Sequence, residues 1–192
     1  MANLLLSSSL FLVLLSLTTT MPSLAHAKAY EFLVSEKPAP KPVDEKLSHF
    51  RVYWHDIVSG PSPTSIRVAE APTTNSSATL FGAVIVIDDP LTVGPEITSE
   101  LVGRAEGLYA ADSKELPAII MAMNFVFLGG KYNRSSITIL GRNEVLLPIR
   151  EMPIVGGSGL FRMARGYVQA QTYSLNPSTG DAVVEYNIYV IH

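Results

Sequence analysis

Asp56 is the first residue whose setting suggests chemistry. From Phe50 to Val58 the chain alternates as a strand does. Phe50, Val52, Trp54, Asp56 and Val58 share one face; Arg51, Tyr53, His55 and Ile57 share the other. A carboxyl on the apolar face is stripped of water, so its pKa rises unless a cation or hydrogen bond compensates. Kept protonated near the working pH, such a group is a general acid. The competing reading is a carboxylate paired with arginine, or one turned to solvent at the strand end. Arg150 is the candidate partner, for Asp56 or for an anionic ligand oxygen, in a stretch that also carries Leu146, Leu147, Pro148, Ile149, Met152 and Pro153. Its alternative is an exposed loop arginine. Tyr109 closes a strand beside Gly107, Ala110 and Ala111, where it can bond and stack on an aromatic ligand or simply fill core. His55 points away from Asp56 and is structural or interfacial. Asp88-Asp89-Pro90 reads as a strand-ending turn.

Other chemistry is missing from the sequence. There is no Gly-x-Ser-x-Gly elbow, P-loop or dinucleotide fingerprint opening a helix. Gly156-Gly157-Ser158-Gly159 precedes strand-like sequence, so it reads as a tight turn rather than a phosphate cradle. The chain has no cysteine, which removes thiolate chemistry and thiolate metal sites. None of its four histidines forms a His-x-His or His-x-x-x-His pair, so no metal or cofactor is expected.

The elements that must position these residues are strands. Phe50–Val58, Thr64–Glu70, Leu80–Asp88, Leu101–Tyr109, Pro117–Leu128, Ser136–Leu140, Phe161–Tyr173 and Asp181–Ile191 are bounded by Gly, Pro and Asn turns. Residues 141–160, with Pro148, Pro153 and Gly156-Gly157, read as a loop. Eight strands and no convincing helix predict an all-β fold, an eight-stranded antiparallel closed barrel. Closure is expected because an open, apolar Val183–Ile191 edge invites aggregation. Pro117–Leu128 is apolar on both faces, so its outer face is expected to meet another subunit.

Of 192 residues, 47% are hydrophobic and 16% charged, with a net charge of -3. One globular domain is implied. The lack of a basic run argues against nucleic-acid binding. Leu4–Leu17 is apolar but for serines, and Ala25-His26-Ala27 follows. Residues 1–27 are read as a cleaved signal peptide, too short in its apolar run for a membrane span. Residues 28–47, with Lys37-Pro38-Ala39-Pro40-Lys41-Pro42, are read as a flexible segment and 48–192 as the barrel. Asn75 and Asn133 head glycosylation sequons in turn-like sequence.

The domain resembles the plant dirigent family. The resemblance rests on Tyr53-Trp54-His55-Asp56-Ile57, Phe81-Gly82, Asp88-Asp89-Pro90-Leu91-Thr92 and Val102-Gly103-Arg104-Ala105-Glu106-Gly107-Leu108-Tyr109. It continues through Ile154-Val155-Gly156-Gly157-Ser158-Gly159-Leu160-Phe161-Arg162, Ala164-Arg165-Gly166-Tyr167 and Glu185-Tyr186-Asn187-Ile188-Tyr189-Val190. These motifs span about residues 47–192 in one order.

The resemblance implies an eight-stranded barrel forming a homo-oligomer (a trimer or dimer), exported to the apoplast and cell wall. It implies control over the coupling of phenoxy radicals, such as those of coniferyl alcohol, into optically active lignans. A separate laccase or peroxidase supplies the radicals, so the barrel positions them and assists closure of a quinone methide. Asp56 would be the acid near the quinone methide oxygen; Tyr109, Asn143 and Arg150 would line the same pocket. Lignan-forming members carry aspartate where this chain has Asn143, and asparagine is no acid. The alternative is a dehydratase-cyclase like the pterocarpan synthases, acting on isoflavanols. A third reading is a cell-wall protein that organises lignin deposition or defence without turnover.

Overall fold

The computed structural model describes residues 45–192. The expected signal peptide (1–27) and most of the expected flexible segment (28–47) lie outside these residues. Nine strands follow one another: β1 (Leu47–Asp56), β2 (Ser65–Ala69), β3 (Val84–Thr92), β4 (Leu101–Ala111), β5 (Ala118–Phe127), β6 (Ser136–Glu144), β7 (Arg150–Ser158), β8 (Arg165–Leu175) and β9 (Ala182–Ile191). Adjacent pairs are antiparallel in the order β1-β9-β8-β7-β6-β5-β4-β3-β2, and β1 also pairs with β3, which closes the sheet.

The barrel has eight positions and nine strands because β1 and β2 share one position. β1 meets β3 at Tyr53–Thr92 and Trp54–Leu91. It then leaves the wall after Asp56, and β2 resumes beside β3 from Ser65–Ile87. Asp181 anchors the excursion: its Oδ1 accepts from the amides of Val58 (2.9 Å) and Ser59 (3.0 Å). The edge problem is solved as the sequence suggested. β9 pairs with β1 along its whole length, from Leu47–Ile191 to Asp56–Ala182.

Two proline-containing segments depart from the sequence expectation. Asp88-Asp89-Pro90 does not end a strand but lies inside β3. The Asp88 amide donates to Thr64 O (2.9 Å), so the nitrogen two residues on faces the same side. There β1 has given way to β2, and Pro90 leaves no partner without a donor. Residues 150–158, read as loop, form β7. Pro153 is tolerated because the β6–β7 ladder ends, after a register shift, at Ile139–Ile154. Beyond that point the β6–β7 pairing stops, the Pro153 ring lies against Gly141, and Pro153 stands opposite Tyr167 of β8. Gly156 and Gly157 belong to β7, and the turn expected at this glycine run begins at Gly159. Phe161, expected to start a strand, instead ends a 3-10 turn before β8.

Inward side chains fill the barrel. Leu91, Phe125, Ile139, Met152, Val168 and Ile188 are among those with almost no exposure. Burial of each such chain contributes about 1.5–3 kcal/mol. In β5, residues 121–127 alternate between fully and partly buried, as a barrel wall requires. Gly166 shows how close the walls run. Its φ is +153°, and a Cβ there would lie 2.0 Å from Tyr189 O. Gly166→Ala is expected to cost about 2–3 kcal/mol in chemical denaturation; a midpoint equal to wild type would contradict this packing.

Candidate functional site

The excursion between β1 and β2 makes a gap in the wall, and polar side chains converge on its inner side. Asp56 ends β1 there, 9% exposed. Tyr109 reaches it from β4, and its hydroxyl donates to Asp56 Oδ2 (3.2 Å). Burial holds the Asp56 carboxyl above its ordinary value, against the opposing pull of bonds from Ser65 and Tyr109. Tyr109 is itself raised, by burial first and by the Asp56 charge second, so it stays a neutral donor.

Asp89 is a second carboxyl that sequence reasoning passed over. It is fully buried on β3, and extending the β1–β3 register brings it level with Asp56. Trp54 Nε1 donates to its Oδ2 (2.7 Å), Ser65 Oγ to its Oδ1 (3.1 Å), and Thr64 Oγ1 also to Oδ1. Burial pushes Asp89 up to about 7; the Thr64 bond opposes this and the Asp56 charge adds to it. The signal was present in the sequence. Asp89 alternates with Ile85, Ile87 and Leu91 just as Asp56 alternates with Val52 and Trp54.

Arg150 and Asn143 form a separate cluster where the β6–β7 pairing has stopped. Both are buried. Arg150 Nε donates to Asn143 Oδ1 (3.2 Å), and Nη1 donates to Thr172 Oγ1 (3.0 Å) and Leu147 O (3.3 Å). Arg150 is therefore neither the partner of Asp56 nor an exposed loop residue. Its bonds to described residues are to neutral oxygens, which leave its charge uncancelled. Burial draws its pKa down, though a guanidinium keeps its proton throughout the working range.

Aromatic rings connect the two clusters. Trp54 meets Tyr109 and Tyr186 edge-on, with centroids 6.4 and 6.1 Å apart. The inner wall thus carries a carboxyl whose pKa burial raises, a buried cation and aromatic rings. This is a setting for a flat, oxygenated aromatic ligand. His55 points outward, as its position implied, and is buried against Thr92 Oγ1 (2.7 Å). Asn75 and Asn133 are both exposed on turns outside the site. A cleft of about 500 Å3 opens toward the start of β1, between Phe50, Val102, Phe127 and Tyr132. Its charged residues, Arg51 and Glu100, are exposed, so it lacks the desolvated groups that mark the Asp56 side.

A family model described as Dirigent-like protein matches residues 47–191. Dirigent protein 21 of Arabidopsis thaliana is 51% identical, over 98% of this chain and 97% of its own length. Pterocarpan synthase 1 of Glycyrrhiza echinata is 48% identical over 78% of this chain and 80% of its own. A solved pterocarpan synthase dirigent protein superposes with a TM-score of 0.74 at 48% identity, covering 80% of this chain and 88% of that one.

Proposed function

This chain belongs to the dirigent-like protein family, and from that premise we propose that its barrel binds a phenolic substrate and governs the stereochemistry with which a quinone methide closes. The observation that carries the reading is Asp56: a desolvated carboxyl, bonded to a neutral tyrosine, with no cation beside it among the described residues. A phenolic intermediate held on the aromatic wall presents one face to the attacking hydroxyl, and the other face is covered by protein. The protein supplies position and a proton. Oxidation, where the substrate needs it, comes from an external laccase or peroxidase. Export to the cell wall, expected from residues 1–27, is part of the same proposal. So is self-association. Ile66, Val86, Leu108, Ala122 and Leu140 form one cross-strand row on the outer wall, and all but Ala122 are exposed large apolar residues.

The first substrate reading is a pair of coniferyl alcohol radicals, coupled into an optically active lignan. The second is an isoflavanol, dehydrated and closed to a pterocarpan. In the second, the Asp56 proton passes to the departing hydroxyl, which leaves as water, while the conjugated phenol gives its proton to solvent and becomes the quinone methide carbonyl. A ring hydroxyl then adds to the quinone methide carbon, its proton returns to Asp56, and the former carbonyl oxygen takes a proton from solvent to become a phenol again. Asn143 favours this second reading. The Asn143 amide accepts a hydrogen bond from Arg150 but has no carboxyl proton to give, so it cannot serve as a second acid.

One experiment separates them. The purified mature protein is incubated with coniferyl alcohol, with and without a one-electron oxidant, and separately with an isoflavanol alone. Products are resolved by chiral chromatography. One lignan enantiomer in excess, only with oxidant, supports the first reading. Pterocarpan formed without oxidant supports the second. Racemic coupling together with unreacted isoflavanol would refute both.

A further inference from the structure

Tyr186 is the one group among the described residues whose buried side-chain polar atom has no partner: its hydroxyl is fully enclosed and makes no hydrogen bond. Such a group costs free energy and is rarely kept without a use. The ring cannot turn away to find a partner. It is held edge-on by Phe125 (5.1 Å between centroids) and by Trp54. Its place in the barrel says what the hydroxyl is for. Arg150, Ala170, Tyr186 and Val52 form one cross-strand row through β7, β8, β9 and β1. Only the methyl of Ala170 stands between Arg150 and Tyr186 in that row. No large side chain separates the cation from the hydroxyl along that row.

We infer that Tyr186 is a ligand-binding residue, its hydroxyl donating to a phenolic oxygen that also faces Arg150, at the end of the ligand away from Asp56. This rests on the reading of the barrel as a phenol site and adds to it a second anchoring point. Its chemical value follows from where charge moves. As a nucleophilic hydroxyl adds to a quinone methide carbon, the new C–O bond forms and the exocyclic double-bond electrons enter the ring. The former carbonyl oxygen gains the negative charge and becomes a phenol once protonated from solvent. A neutral hydroxyl and a guanidinium placed on that oxygen stabilise it more as the charge grows. Burial keeps the Tyr186 proton in place, as a donor requires. Asp56 works at the reacting carbon's end of the ligand, and Tyr186 and Arg150 work at the phenolic end. The ligand class that fits is a phenol para- or ortho-conjugated to the carbon where closure occurs.

The test is Tyr186→Phe, which removes the oxygen and keeps the ring. Three quantities are compared with wild type: the rate of product closure under whichever condition wild type supports, calorimetric affinity for coniferyl alcohol without oxidant, and Tm. The inference expects closure to slow by about 10²-fold, weaker binding of the phenol, and a Tm equal to or above wild type because an unpaired buried hydroxyl is gone. A wild-type rate and affinity in the variant would overturn it. So would a Tm several degrees lower, which would reveal a protein partner for the hydroxyl. Wild type that binds the phenol but controls no product would sink the proposed function while leaving the binding comparison to decide the role of Tyr186. Wild type that binds no phenol at all would sink both.

Discussion

Asp56→Asn is expected to slow product closure by about 10²–10⁴-fold while the barrel stays folded. The amide has nearly the carboxyl's shape and can still accept the Tyr109 hydroxyl bond, now 3.2 Å from Oδ2. What it loses is the transferable proton. The cost to folding is small, because burial already disfavours the ionised Asp56 that the substitution removes. Wild type should also lose activity as pH rises through the raised pKa of Asp56, since only the protonated form donates. Steady-state rates on the isoflavanol, or enantiomeric excess in radical coupling, measure the effect. A folded Asp56→Asn protein with wild-type selectivity and rate would remove Asp56 from the mechanism and leave positioning alone.

The second large effect is on stability. Asp89 is pushed up to about 7 in the folded protein, from 3.8 for an ordinary aspartate. A carboxyl raised in this way binds its proton more tightly in the native state than in the unfolded chain. Its contribution is therefore complete below the unfolded value and is lost as pH climbs from about 4 to about 7. The full loss is roughly 4 kcal/mol as an upper bound, which corresponds to a Tm about 10 °C lower at the alkaline end. Asp56, also raised, acts in the same direction. His55, lowered by burial, acts in the opposite one, losing stability as pH falls through its ordinary range. Asp89→Asn isolates the first term: the difference in Tm between acid and neutral pH should shrink sharply. Equal slopes in the variant and wild type would mean Asp89 is ionised throughout.

Much of the barrel was legible along the chain. Period-two alternation marked most of its walls, because an inward residue meets the core and its neighbour does not. β1 and β9 are the clearest cases, and the aggregation argument about the last strand correctly led to their pairing. Where alternation was overruled by punctuation, the reading failed. Pro90 and Pro153 looked like strand breakers, yet each lies in a strand where the pairing to one neighbour stops. A proline forbids only the hydrogen bond that its own nitrogen would make. Whether a partner waits on that side depends on a strand far away in sequence.

The candidate site divides along the same line. By itself the sequence determined that Asp56 shares an apolar face with Trp54, that position 143 carries an amide and no acid, and that the chain has the signature of one family. These are properties of residue type, local spacing and motif order. Only the tertiary structure decided that Tyr109 bonds Asp56 while Arg150 does not. It also decided that Asp89 faces the same gap and that the Tyr186 hydroxyl is left without a partner. Those outcomes depend on register across strands separated by dozens of residues, and on how far closure rotates one wall toward another. A shift of one residue in any pairing would turn each of these side chains to the opposite face, so nothing short of the closed barrel could settle which of them meet.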